Sequence, residues 1–267
     1  ARQRGLDLAG VAGSGPRGRV QAADALAAAQ VAAPAPPGEP TIIPLEGMRR
    51  AIAERLQASY QQAPHVAFTL DVDMTETVAL RAYANQRLPE SQPAISLTAA
   101  LVQACAWALR RHPVVNSYLR DGQIIVFPDI HIGVAVALDE GLIVPVIHHA
   151  DRKGLTQLGA EVADLSARAR EGRLRPEDVA GGTFTLSNLG MFGIDHFTAI
   201  LNPPQVAILA AGRIARRVVP DANDQPTVRP MMTVTLSVDH RAIDGAVAAR
   251  FLATLRDALE HPQAMLL

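Results

Sequence analysis

The chain has a single cysteine, Cys105, in 267 residues. One thiol per chain excludes a disulfide framework and a thiolate-rich metal site, so a reducing compartment fits best. Charge imbalance is missing too. Twenty-five basic and 26 acidic residues leave a formal net charge of -1, which argues against a nucleic-acid binder. No apolar run reaches membrane length without meeting a charge or a proline. Lysine is nearly absent, Lys153 being the only one, and this reads as genome composition rather than mechanism. The first residue is Ala1, and residues 1–30 lack the charged-then-apolar layout of a secretory signal, so the chain is expected to begin inside a longer gene product. Its length allows one large domain and a small appendage.

What is present divides at an alanine- and proline-rich stretch, Ala27 to Pro40. Such a composition stays extended and buries no core, so it is expected to be a tether. Before it, Gly13-Ser-Gly-Pro-Arg-Gly18 satisfies G-x-G-x-x-G on paper. No apolar strand precedes it and no βαβ unit follows, so a dinucleotide site is rejected. The glycines are expected to shape a loop ahead of a short helix, Gln21 to Ala29, with Arg17 and Arg19 on the surface.

After the tether, helical and strand periods alternate. Helices are expected at Gly47–Gln62, with Met48, Ile52, Leu56 and Ser59 on one face, and at Leu97–Arg111 behind a Ser96 cap. Two more are expected at Gly154–Arg170, ended by Gly172, and at Ala246–Leu259. Strands are expected at Val66–Val72, Ile124–Phe127, Ile130–Leu138, Leu142–Ile147, Thr183–Leu186, Val206–Ala211 and Thr233–Val238. A hairpin turn is expected at Asp139-Glu-Gly141. The architecture this implies is α/β: one mixed sheet covered by helices, without internal repeats.

Two segments carry chemistry. The first is Asp239-His-Arg-Ala-Ile-Asp-Gly245, where a strand runs into a helix start and sets an imidazole near a carboxylate. Histidine titrates nearest neutrality, although Asp244 could be a plain helix cap and His240 an ordinary surface residue. The second is Gly181 to Gly193, a strand entering a glycine-rich turn with Ser187 and Asn188 at its mouth. Those two side chains could equally be satisfied by their own backbone. Asn202-Pro-Pro204 reads as a rigid corner. Cys105, within an apolar helix, reads as a buried and inert thiol. His148 and His149 follow a strand with no third ligand expected nearby, and His131 lies within one, so no metal site is expected.

Residues 181–194, Gly-Gly-Thr-Phe-Thr-Leu-Ser-Asn-Leu-Gly-Met-Phe-Gly-Ile, then Ile-Leu-Asn-Pro-Pro-Gln (200–205) and Asp-His-Arg-Ala-Ile-Asp-Gly-Ala (239–246), resemble in order and spacing the catalytic domain of dihydrolipoamide acyltransferases. These are the core components of 2-oxo-acid dehydrogenase complexes. Met48–Leu56, Ala63-Pro-His65, Gly141–Ile147 and the terminal Met-Leu-Leu extend the resemblance over 42–267. Residues 5–26 resemble the later part of the family's peripheral subunit-binding domain. The implied domains are therefore a partial subunit-binding domain at 1–30, a linker at 31–41 and an acyltransferase domain at 42–267.

The resemblance implies a two-layer mixed sheet with helices on one face, like chloramphenicol acetyltransferase, in trimers that place each active site between neighbouring subunits. Acyl transfer from S-acyl-dihydrolipoamide to coenzyme A needs a base and an oxyanion donor. By carry-over from the family His240 is the base, Ser187 the donor, and Asp244 holds the loop behind the histidine, with Arg50 as its partner. Arg241 is expected to be a structural ion-pair residue. The lipoyl group and coenzyme A enter as substrates, and no metal is expected. Met191-Phe-Gly-Ile194 and Pro64-His65 look most like pyruvate-type members, which favours acetyl, with acetoin-type and branched-chain-type cores as alternatives. Further implied partners are a decarboxylating dehydrogenase and dihydrolipoamide dehydrogenase, in the bacterial cytoplasm or the mitochondrial matrix. A non-catalytic core subunit would normally lose His240 or Ser187. Peptide-synthetase condensation domains share His-x-x-x-Asp-Gly but are much longer.

Overall fold

Period-two alternation gives the central sheet two chemically different faces. Its strands in spatial order are β1 (His65–Asp73), β10 (Pro226–Asp239), β9 (Ala207–Pro220), β8 (Phe184–Asn188), β4 (Ile132–Val134) and β7 (Val146–Ile147). β8 runs parallel to both β4 and β9, and the other pairs are antiparallel. On one face Met232, Val234, Leu236 and Val238 of β10, Leu209 of β9, and Phe184 and Leu186 of β8 join the main apolar core. Thr235, Ser237, Asp239, Thr185 and Ser187 alternate onto the other face, beside a smaller cluster around Ile208 and Ala210. Two further hairpins, β2 (Ser117–Arg120) with β3 (Gln123–Val126) and β5 (Val136–Leu138) with β6 (Gly141–Ile143), stand outside this sheet. The computed structural model describes residues 10–31, 41–138 and 141–266.

Helices cover the apolar face because their own buried stripes match it. In α4 (Leu97–Arg111) the Ser96 hydroxyl accepts from the Ala99 N–H at 3.2 Å, and nine residues from Ala99 to Leu109 are buried. Arg110 and Arg111 sit in its last turn, where positive charge suits the helix dipole. In α6 (Gly245–Glu260) Ala248, Phe251, Leu252, Leu255, Ala258 and Leu259 are buried at three- and four-residue spacing. α5 (Leu155–Arg170) buries Leu158, Val162, Leu165 and Ala169, and Gly172, at φ +65, follows its end as expected. α2 (Gly47–Gln62) carries Ile52, Leu56 and Ser59 as expected, and Ser59 bonds the Leu201 carbonyl at 2.8 Å.

Several expectations are corrected. The runs 130–138 and 142–147 each split: Pro145, lacking an N–H, separates β6 from β7, and β4 and β5 belong to different sheets. β9 and β10 extend as a ribbon paired out to Pro220 and Pro226. In their outer halves Arg213, Arg216, Arg217 and Arg229 interrupt the apolar residues, which a half-exposed ribbon tolerates and a search for apolar runs misses. α3 (Thr75–Asn85) was also not legible, because its cap comes from Asp73, two residues before it, whose carboxylate accepts from the Thr75 N–H at 2.9 Å. β2 escaped notice as four residues without alternation.

The chain divides into two compact units, 1–45 and 46–267. In the first, α1 (Ala22–Val31) runs two residues past its expected end, since alanine favours helix. Ahead of it Gly15 donates to Arg19 O at 3.0 Å, and the Asp24 carboxylate accepts from Ser14 and Gln21, which hold it below the usual carboxylate range. This is the expected glycine loop, with Arg17 and Arg19 exposed. Of the expected linker, residues 32–40 lie outside the described residues, as do residues 139–140 of the expected hairpin turn.

Candidate active site

His240 sits where β10 ends. Its N–H donates to the Pro64 carbonyl at 3.0 Å, its side chain is exposed, and its ring makes no hydrogen bond among the described residues. The turn is braced from within. Asp239, 4% exposed, accepts from the Arg241 N–H at 3.0 Å and from its guanidinium at 2.9 and 2.6 Å. Its carbonyl also takes the N–H groups of Ala242 and Ile243. Arg241 is thus the structural ion-pair partner that was expected, its own pKa raised by the Asp239 bond. Asp244 is the N-cap of α6, accepting from Val247 N at 2.9 Å. The expected Arg50 partner is not found. Arg50 pairs with Glu54 one turn along α2, and no ion pair joins it to Asp244 among the described residues.

Beside this turn lies His65, opposite Asp239 in the sheet register. Its Nδ1 lies 2.7 Å from Ala63 O and its Nε2 accepts from Leu201 N at 3.1 Å, a pattern met by the neutral ring with its proton on Nδ1. The sequence flagged His65 only as part of the family resemblance.

Ser187 lies on the polar face of β8 and walls two cavities, of 660 and 140 Å³. Asn188 follows the backbone-bonded alternative, its carboxamide oxygen accepting from Gly190 N at 2.9 Å. Ser187 does not, since its hydroxyl has no bond among the described residues. The larger cavity is lined mainly by apolar groups, with Ile52, Arg55 and Leu56 of α2 on one wall and the corner Asn202-Pro203-Pro204 on another. Arg55 ties the two walls through Pro203 O at 2.8 Å. Polar groups on the floor are mutually satisfied: Thr185 donates to Gln205 at 2.6 Å, and Gln205 and Tyr118 both donate to Gly182 O at 2.7 Å. Ser187 and the exposed Thr198 are the lining hydroxyls without a bond among the described residues, and of the two Ser187 lies on the sheet. α2, Tyr118 and Gln205 were missed by sequence reasoning because only folding brings them to one cavity.

The register keeps Ser187 and His240 apart. Ser187 is opposite Ala210, which is opposite Thr235, and Asp239 lies four residues further along β10. At about 4.8 Å per strand and 3.3 Å per residue this separates the backbones of Ser187 and Asp239 by roughly 16 Å. A base and an oxyanion donor serving one carbon must both come within about 3 Å of the reacting atoms, so one chain does not bring them together.

Cys105 is fully buried, and burial pushes its thiol well up, in keeping with an inert role. The histidines far from the turn need correction. Asp129, His131 and His149 each place a ligand atom within 4.8 Å of the others, so a third ligand does stand near. The separation of 18 positions between His131 and His149 hid this, and the pairing of β4 with β7 closes it.

The model of the 2-oxoacid dehydrogenases acyltransferase catalytic domain matches residues 37–267, and that of the e3 binding domain matches residues 1–26. The chain belongs to the 2-oxoacid dehydrogenase acyltransferase family. A curated member from Caenorhabditis elegans, the mitochondrial dihydrolipoyllysine-residue acetyltransferase component of pyruvate dehydrogenase complex, is 42% identical over 100% of this chain and 55% of its own length. The chain spans just over half to about two thirds of the first such relatives, which run from 55% to 64%. Among solved acyltransferases, Azotobacter vinelandii dihydrolipoamide acetyltransferase, studied for a serine, a histidine and an asparagine in its mechanism, superposes with TM-score 0.83 at 36% identity, over 88% of this chain and 99% of that one. The cubic core of a pyruvate dehydrogenase multienzyme complex gives TM-score 0.83 at 37% identity, with the same coverage. Chloramphenicol acetyltransferase, at TM-score 0.52 and 19% identity over 82% of this chain and 99% of that one, shares the fold. The expected two-layer α/β architecture of this acyltransferase family therefore holds.

Proposed function

We propose that the chain transfers an acetyl group between dihydrolipoamide and coenzyme A, with His240 as base, Ser187 as oxyanion donor and Asp244 as the residue that sets the histidine turn. The observation that carries this reading is the unsatisfied Ser187 hydroxyl on the wall of a 660 Å³ cavity, matched by an exposed imidazole with an anchored backbone at the other end of the polar sheet face. The same order of serine, histidine and a carboxylate or amide four positions on occurs in the Azotobacter enzyme's studied trio, with aspartate here in place of asparagine.

In the forward step His240 takes the proton of the coenzyme A thiol. The sulfur attacks the thioester carbonyl, the Ser187 hydroxyl donates to the oxyanion, and collapse expels the dihydrolipoyl sulfur, which recovers the proton from the imidazolium. A thiol and an imidazole are a suitable pair for this exchange, since histidine is the side chain that ordinarily trades a proton near neutrality. Asp244 acts at one remove, because its cap fixes where α6 starts and so where the turn carrying His240 lies.

The separation of Ser187 from His240 supports a site completed by a second copy, in a homotrimer that builds a larger core. Residues 1–30 would be a partial peripheral subunit-binding domain for dihydrolipoamide dehydrogenase, 31–41 a linker and 42–267 the catalytic domain, with a decarboxylating dehydrogenase as the further partner. Bacterial and mitochondrial relatives favour the cytoplasm or the matrix. Among the described residues no helix is long and apolar enough to cross a membrane. The test is to assay acetyl-, succinyl- and isobutyryl-coenzyme A with free dihydrolipoamide. Acetyl preference, near-complete loss in His240→Ala and a loss of about 100- to 1000-fold in Ser187→Ala are expected. Full activity in His240→Ala would defeat the mechanism.

A further inference from the structure

Antiparallel pairing of Ile132 with Ile147 brings His131 beside His148 and His149, their ring centroids 4.9 and 4.6 Å away. Asp129 joins them from the loop ahead of β4. None of the four lines either cavity, so acyl transfer leaves the group unexplained.

The His149 Nδ1 atom is buried and has no hydrogen-bond partner, although it lies 3.2 Å from an Asp129 carboxylate oxygen. At that distance a well-aimed N–H would be bonded, so a ring N–H at Nδ1 is not aimed at that oxygen. Two ligands each about 2.0–2.1 Å from a tetrahedral ion stand roughly 3.3 Å apart, close to the spacing seen. His149 also holds φ +49, a left-handed conformation uncommon outside glycine and one that collects at functional positions. The third group is prepared as well: His131 Nδ1 accepts the His149 N–H at 3.0 Å, so a lone pair already points into the cluster.

We propose that Asp129, His131 and His149 form a site for a first-row divalent metal of the zinc type, with water completing the shell. Two imidazoles and one carboxylate suit zinc, nickel or copper, and not the all-oxygen shells of magnesium or calcium. The ion takes the place of the His149 N–H on the His131 lone pair. The Asp129 oxygen that faces His149 is Oδ1, which the Arg152 guanidinium also reaches at 2.5 Å, so the ion competes with Arg152 for it. Binding would clamp the segment after β7 onto β4. It would also stiffen the start of β8, since the His131 N–H donates to Thr183 Oγ1 at 3.0 Å and its carbonyl accepts the Thr183 N–H at 2.7 Å.

The test uses the untagged full chain, stripped with chelator, titrated with Zn2+ by calorimetry and with Co2+ by visible absorption. Saturable binding of one ion per chain, with intense tetrahedral Co2+ bands, is expected. His149→Asn keeps a side chain that tolerates left-handed backbone, and Asp129→Asn keeps the shape, so both fold; each weakens binding at least about tenfold. Arg152→Ala tightens it by removing a competitor. His261→Asn, at a surface histidine bonded to Asp257, leaves it unchanged. Absence of one-to-one binding, or equal affinity in wild type and His149→Asn, overturns the proposal whatever the acyltransferase assays give.

Discussion

If the base and the oxyanion donor of each site come from different subunits, two inactive variants should repair each other. Ser187→Ala alone loses about 100- to 1000-fold and His240→Ala about 100- to 10,000-fold, so either homo-oligomer retains about 1% of activity or less. In an equimolar co-assembly each site draws its serine from an intact donor half the time and its histidine from an intact donor half the time. Random mixing therefore restores about a quarter of the wild-type sites. The roughly 16 Å between the Ser187 and Asp239 backbones is the basis, being wider than the two side chains and one shared carbon can span. Co-expressed variants carrying different tags, purified through both tags, should show some 25% of wild-type acetyl transfer, far above either parent. Activity no higher than the parental mean would mean that each chain completes its own site.

Asp178 accepts from Arg168 at 2.5 Å and from the Arg175 N–H at 2.7 Å, and these bonds, Arg168 first, hold its carboxyl well below the usual range. Its folded pKa is depressed, so its stabilisation is complete above the unfolded value near 3.9 and is lost as pH falls below it. The melting-temperature gap between wild type and Asp178→Asn should accordingly shrink from pH 6 to pH 3, and a gap constant with pH would contradict the assignment. Cys105, fully buried with its thiol pKa raised, should not react with a chromogenic disulfide until denaturant is added; rapid native labelling would refute this. At Gly212 an added Cβ would lie 1.8 Å from the Asp195 carbonyl oxygen. Gly212→Ala should therefore cost about 3 kcal/mol or more in denaturant unfolding, and an unchanged midpoint would show that the ribbon yields.

Local chemistry made much of this protein readable in one dimension. Helix α4 matches its expected bounds because Ser96, Pro113 and a continuous apolar stripe mark its start, stop and buried face, and α2 matches through its helical period alone. The Asp239–Gly245 and Gly181–Gly193 segments were legible for a similar reason, since hydroxyl, imidazole and glycine cluster within a single turn of chain. Signals that depend on partners were not legible. The outer ribbon of β9 and β10 exists because each half supplies the other's hydrogen bonds, and α3 is capped by the carboxylate that ends β1.

Residue order alone settled the family and most helices and nominated the candidate chemistry-bearing residues, because capping, periodicity and motif spacing act over neighbouring positions. Tertiary structure decided that Arg50 turns to Glu54 and not to Asp244, that Ser187 faces a cavity whose walls come from α2 and the Pro203-Pro204 corner, and that Asp129, His131 and His149 meet. Those outcomes depend on strand register and packing between segments far apart in the chain, and no local pattern records them.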